Sequence, residues 1–151
     1  MQHLFRSWES FSPNIRAASH ILLLSDYDGT LTPIVSRPEE AILPPEVRGK
    51  LCALAKTPTF RVGIISGRSL SEVKALVGIE GIYYAGNHGL EMEGPGLKFI
   101  NPAAEAAQAE IKDLARQFSA KLGSIEGVIV EDKGLSLSIH YRLAKESEEN
   151  I

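Results

Sequence analysis

Residues 21 to 30 read Ile21-Leu22-Leu23-Leu24-Ser25-Asp26-Tyr27-Asp28-Gly29-Thr30. The apolar run is short and continuous, which suits a strand buried on both faces, as in a parallel sheet. It ends in Asp-Tyr-Asp-Gly, which is turn chemistry. Two carboxylates two residues apart, just beyond a buried strand, can converge on one cation.

The pattern repeats downstream. Pro44-Pro45 opens a helix with Val47, Leu51, Leu54 and Ala55 on its apolar face. Arg61 to Ile65 form a second strand, ending in Ser66-Gly67-Arg68. Ser69 to Glu72 is a capping-box pattern that launches a helix with Leu70, Val73, Leu76 and Val77 on one side. Gly78 stops it. Gly81 to Ala85 form a third strand, ending in Gly86-Asn87-His88-Gly89. Strand, helix, strand, helix, strand implies an α/β, Rossmann-like parallel sheet with right-handed crossovers. Ligands of such sheets bind beyond the carboxyl ends of the strands. All three strands end in unusual polar sequences there, which argues for a site.

After Gly89 the style changes. Leu90 to Phe99 suit a hairpin turning at Gly94-Pro95-Gly96. Pro102 precedes an Ala-rich helix over residues 103 to 122. Strands follow at Gly127 to Glu131 and Leu135 to Arg142, joined at Lys133-Gly134. In the second, Leu135, Leu137, Ile139 and Tyr141 alternate with Ser136, Ser138, His140 and Arg142, so one face is apolar and one polar. We read residues 1–99 as one domain and residues 100–151 as part of a second, smaller α+β unit. Before the first strand, Leu4, Phe5, Trp8 and Phe11 recur at roughly helical spacing, and Trp8 is expected to pack.

Composition bounds the function. The chain has 151 residues, 44% hydrophobic and 23% charged, with net charge −3. That balance argues against nucleic acid as a partner. Ile21 to Leu24 is the longest aliphatic run, too short to span a membrane, and no leader peptide is visible. The single Cys52 cannot form an internal disulfide and reads as a small buried hydrophobe. A reducing cytoplasm is the simplest setting.

The motifs carry chemistry of one kind. Magnesium takes oxygen ligands and keeps several waters. Beside a phosphate it would cancel charge that repels a carboxylate nucleophile. Asp26 could then attack phosphorus to form an aspartyl-phosphate. Asp28 could protonate the leaving oxygen and later deprotonate the hydrolytic water. Gly29 lets the backbone turn, and Thr30 offers a hydroxyl to phosphate. An EF-hand calcium loop also contains Asp-x-Asp, but here the glycine comes too early and Arg37 stands where the bidentate glutamate belongs. Ser66 can donate to phosphate, and Gly67 lies before a helix start whose N–H groups favour anions. Arg68 can contact an anion or brace the loop against a carboxylate. Asn87 and His88 suit sugar hydroxyls. Glu131, Lys133, His140 and Arg142 read, by themselves, as a solvated sheet face.

In this order, Asp26-Tyr-Asp-Gly-Thr-Leu-Thr-Pro-Ile, Ser66-Gly-Arg, Gly86-Asn-His-Gly, Glu131-Asp-Lys-Gly and His140-Tyr-Arg resemble the trehalose-6-phosphate phosphatases of the haloacid dehalogenase superfamily. The resemblance runs from about residue 20 to residue 142. It implies a magnesium-dependent hydrolase converting trehalose 6-phosphate to trehalose and phosphate, with a haloacid dehalogenase-like core and an α+β cap. It implies Asp26 as nucleophile and metal ligand, and Asp28 as general acid/base ligating magnesium through its backbone carbonyl. Ser66 would bind the phosphoryl group and Arg68 support that loop. Asn87 and His88 would lie near the substrate entrance, and Glu131, Lys133 and Arg142 would face the disaccharide from the cap. A trehalose-6-phosphate synthase is a partner it admits.

The family's later lysine and its Gly-Asp-Asp acidic motif do not occur in the chain. Only the first half of the cap fits into residues 100 to 142. The expectation is a truncated chain with an exposed sheet edge, weakened magnesium affinity and little activity alone. The alternatives are a related sugar phosphatase acting on sucrose phosphate or mannosyl-phosphoglycerate, and a non-catalytic binding or regulatory module.

Overall fold

A computed structural model describes residues 4–145; the end of the charged tail that follows Lys145 lies outside them. A 3-10 turn at Leu4–Ser7 leads into α1 (Trp8–Ala17). The first sheet then alternates strands and helices: β1 (Ile21–Asp26), α2 (Pro45–Ala55), β2 (Phe60–Ile65), α3 (Leu70–Val77) and β3 (Tyr83–Gly86). A hairpin, β4 (Glu91–Gly94) and β5 (Leu97–Ile100), extends the same sheet, whose order is β1-β2-β3-β4-β5. β1, β2 and β3 are parallel, and β4 and β5 antiparallel.

Register fixes where the polar strand ends meet. Asp26 lies opposite Ile65, and Ile65 opposite Ala85. The segments beginning at Tyr27, Ser66 and Gly86 therefore leave the sheet side by side. Local sequence supports each element. Pro45 starts α2, where no backbone N–H is needed. Ser69 caps α3 by accepting from Glu72 N, and Gly78 ends it in the left-handed conformation.

One face of this sheet is packed. Val62 and Ile64 of β2 bury against Leu51, Val73, Val77 and Tyr84, with Cys52 half-buried beside them. The other face of β1 is open, contrary to the expectation of burial on both sides. Leu22 is 62% exposed and Leu24 51%. β1 stands at the sheet edge, and α2 and α3 lie on the opposite face, so nothing among the described residues covers these leucines. Trp8 also departs from expectation: it is 44% exposed, because α1 rests mainly on the preceding 3-10 turn.

The second unit is α4 (Pro102–Ala106), α5 (Gln108–Leu122), β6 (Ile129–Asp132) and β7 (Leu137–His140). The expected single helix is divided at Ala107, which stays in the right-handed region but with ψ at −1°, away from the ideal helical value; nothing in the local sequence marks the division. α4 starts where the Asn101 side chain accepts from Ala103 N and Ala104 N. β6 and β7 pair antiparallel, with α5 packed on β6. The strands are shorter than expected, because Lys133 N donates to Ser136 O and Leu135 N to Lys133 O, drawing residues 133–136 into the turn. Among the described residues no helix is long and apolar enough to cross a membrane.

Candidate active site

The site begins with the turn after β1. Tyr27 O accepts from both Leu31 N (3.0 Å) and Thr32 N (3.1 Å), which closes the loop tightly, with Gly29 at φ +79°. The Tyr27 ring is fully buried, and its hydroxyl donates to Ala41 O at 2.7 Å. That bond ties the motif to the Pro-rich loop of residues 32–44. Side chains alternate about Tyr27, so Asp26 and Asp28 both point away from the core and are exposed. The Asp26 carboxylate has no side-chain partner among the described residues.

Asp28 is held by Arg68. Nε donates to Oδ2 and Nη2 to Oδ1, each at 2.9 Å. Nη2 also reaches Pro38 O at 2.7 Å, and Nη1 pairs with Glu72. Arg68 is 6% exposed and lies 5.6 Å from the Tyr27 ring centroid. Its hydrogen bonds to Asp28, above all, hold the guanidinium protonated well beyond its ordinary range despite burial. Burial pushes the Tyr27 phenol up, partly offset by the Arg68 charge.

The second and third strand ends interlock. Ser66 is buried, and its Oγ accepts from Arg68 N at 3.1 Å. Asn87 N donates to Arg68 O and His88 N to Ser66 O. Asn87 and His88 are consecutive non-glycine residues at positive φ, 49° and 58°. The His88 ring lies against Gly67, close enough to leave no room for a Cβ there.

The second unit completes a cleft. Lys133 Nζ donates to Gly67 O at 2.9 Å and lies 3.6 Å from the Glu131 carboxylate. His140 Nε2 meets Glu131 Oε2 at 2.7 Å. Arg142 donates to Val35 O at 3.1 Å. The cleft, of about 930 Å³, has Asp26, Asp28, Gly67, Arg68 and His88 on one wall and Glu131, Lys133, His140 and Arg142 on the other.

Three sequence candidates lie off that wall. Thr30 is exposed on the turn, and Ser66 and Asn87 are buried behind it. Three contributing residues, Glu72, Glu91 and Ser136, stand outside the functional motifs of the sequence. Glu72 had been assigned only to a helix cap; its spacing from Arg68 was the available clue. Glu91 and Ser136 had none. His140 opens the His140-Tyr-Arg stretch of the resemblance, and it meets Glu131 because residues diagonal across a strand pair are in reach.

The sequence profile of the trehalose-phosphatase family matches residues 24–150. The chain belongs to the trehalose-phosphatase family. The trehalose-phosphate phosphatase of Mycobacterium tuberculosis (strain H37Rv) is 42% identical over 121 residues, covering 79% of this chain and 30% of its own. Trehalose 6-phosphate phosphatase RA3 of Zea mays is 36% identical over 155 residues, covering 93% and 42%. The C-terminal domain of C. albicans trehalose-6-phosphate phosphatase superposes with TM-score 0.73 at 31% identity, covering 91% of this chain and 48% of that one. The chain thus spans less than half the length of these family members. Its α/β sheet has the fold of that phosphatase domain.

Proposed function

We propose that this chain carries the nucleophile-bearing part of a phosphomonoester hydrolase acting on trehalose 6-phosphate. The observation that supports it best is the placing of Asp26, without a side-chain partner among the described residues, beside Asp28 on one wall of a cleft whose other wall presents Lys133 and Glu131. An Asp26 carboxylate oxygen would attack phosphorus as the bond from phosphorus to the sugar oxygen breaks. Asp28 would give that oxygen its proton. Water would then attack the aspartyl-phosphate, losing a proton to Asp28 and releasing inorganic phosphate and Asp26.

Asp28 cannot deliver a proton while both its oxygens lie in the Arg68 fork. Its turn at catalysis requires slipping from that fork, with Arg68 kept in place by Glu72 and Pro38 O. Ser66 and Gly67 precede the α3 N-terminus, where backbone N–H groups favour an anion. Ser66 would reach it only if Oγ turned from Arg68 N. Glu131, Lys133 and Arg142 offer acceptors and donors for sugar hydroxyls, beside His88.

The donor set is compatible with magnesium. Among the described residues no three acidic, histidine or cysteine side chains cluster, but this cation commonly takes one or two carboxylates plus substrate and water. The Asp26 carboxylate and the Asp28 carbonyl would hold it. Bound there, it would neutralise phosphoryl charge.

The test is phosphate release from trehalose 6-phosphate, sucrose 6-phosphate and mannosyl-phosphoglycerate, with and without magnesium. It is run on residues 1–151 and on a form extended to the relatives' length. The extended form should prefer trehalose 6-phosphate and need magnesium, while residues 1–151 release little. A better rate on another sugar phosphate would overturn the substrate.

A further inference from the structure

Asn87 is fully buried at the boundary between the two sheet units. A buried carboxamide must have every hydrogen-bonding atom occupied, and its partners come from both units. Nδ2 donates to Glu91 Oε1 at 2.7 Å and to Lys133 O at 3.2 Å. Oδ1 accepts from Ser136 Oγ at 2.6 Å. Glu91 Oε1 also accepts from Leu70 N, the first residue of α3, at 2.7 Å. One relay thus runs from the helix start behind the Ser66-Gly67-Arg68 loop, through Glu91 and Asn87, into the β6–β7 turn.

The backbone is arranged for this. Asn87 and His88 both occupy the left-handed region, which is uncommon for residues with a Cβ. Such geometry persists only where the surroundings over-determine it. Here it turns the Asn87 carboxamide back between the units while His88 goes forward over Gly67. The far end of the relay is Lys133. Its carbonyl is fixed by Asn87, and its ammonium, on a side chain only 9% exposed, reaches Gly67 O.

We infer that Asn87 and Ser136 are positioning residues: they touch no sugar, and they hold Lys133 above the Ser66-Gly67-Arg68 loop, where it meets the phosphorylated end of a sugar phosphate. The clause about the sugar phosphate rests on the function proposed above; the anchoring does not. Ser136 has no other role in the site, and the residue is half-buried, outside the apolar core, so removal of its hydroxyl spares the core.

The experiment uses residues 1–151 as they stand, in the wild type and in Ser136→Ala, Ser136→Thr, Asn87→Asp and, as control, Ser119→Ala on the exposed face of α5. Amide exchange at Lys133 and Leu135, both hydrogen-bonded within the turn, reports its opening. Trehalose 6-phosphate binding is followed by titration of the same samples. Losing one such bond should speed exchange at these two amides, and weaken binding, by about fivefold to tenfold in Ser136→Ala. Ser136→Thr should restore both, and Ser119→Ala change neither. Asn87→Asp puts a carboxylate against Glu91 and should open the turn at least as far. Unchanged exchange in Ser136→Ala overturns the anchoring. Faster exchange with unchanged binding overturns the positioning role. If residues 1–151 bind no sugar phosphate, the titration is run on the form extended to the relatives' length, whose failure to bind would overturn the function proposed above; exchange alone then decides the anchoring.

Discussion

Arg68 and Asp28 meet fork to fork, with Nε–Oδ2 and Nη2–Oδ1 both at 2.9 Å, across 40 residues of sequence. The same guanidinium binds Glu72 and Pro38 O, so it joins the β1 turn, the Pro-rich loop and α3. Arginine can do this because its donors radiate from one rigid plane. With four of its five N–H donors taken up by protein, Arg68 serves here as the brace between the motifs.

Arg68→Lys should therefore destabilise the chain. An ammonium cannot span three partners, and Glu72 and Pro38 O would lose theirs. Asp28 is 44% exposed, so water compensates part of the loss. We expect about 1–3 kcal/mol, read from urea unfolding midpoints. An unchanged midpoint would remove the brace.

Asp26→Asn should behave in the opposite way. The carboxylate has no side-chain partner to lose among the described residues. Unfolding free energy should stay within about 0.5 kcal/mol of wild type. Phosphate release by a form of the relatives' length should vanish. Retained turnover would refute Asp26 as nucleophile.

Gly86→Ala should be costly for a packing reason. A Cβ there would stand 2.3 Å from Leu70 N and 2.6 Å from Leu70 Cα, both backbone atoms. The start of α3 would have to move away from β3 and drag the Ser66-Gly67-Arg68 loop with it. Overpacking of this kind costs about 1–3 kcal/mol. Thermal unfolding measures it, and a wild-type Tm would contradict the close approach.

Alkaline stability should report the buried tyrosines. Burial raises the folded-state pKa values of Tyr27 and Tyr84 above the ordinary phenol value of about 10. Their contribution is fully present below that value. It is lost as pH rises through the folded values, because the unfolded chain gives up these protons first. Tyr84→Phe should flatten this alkaline fall. At neutral pH it should cost about 1 kcal/mol, since the Tyr84 hydroxyl donates to Ile79 O and accepts from Ile79 N. An equal alkaline slope in wild type and variant would exclude the effect.

Local pattern was enough for much of this. The strand ends at Asp26, Ile65 and Ala85, the Ser69 cap, the Gly78 stop and the alternation from Leu135 onward are each written in a few adjacent residues. The partners of Arg68, Asn87 and Lys133 are not. The distant ones, Asp28, Ser136 and Gly67, lie 40, 49 and 66 residues away, and no spacing encodes them. The open face of β1 was invisible for the same reason: Leu22 and Leu24 read as core, and only strand order places them at an edge.

The sequence by itself determined that two carboxylates would stand at the end of β1, followed at the next strand ends by Ser-Gly-Arg and Asn-His-Gly. That much depends on residue order, because backbone propensity and apolar periodicity act over short range. Tertiary structure decided which of those groups face the cleft. Long-range hydrogen bonds tied Asp28 to Arg68 and turned Asn87 inward beneath Lys133, because buried polar groups must find partners wherever the fold brings them. Asp26 was left with no side-chain partner for its carboxylate among the described residues.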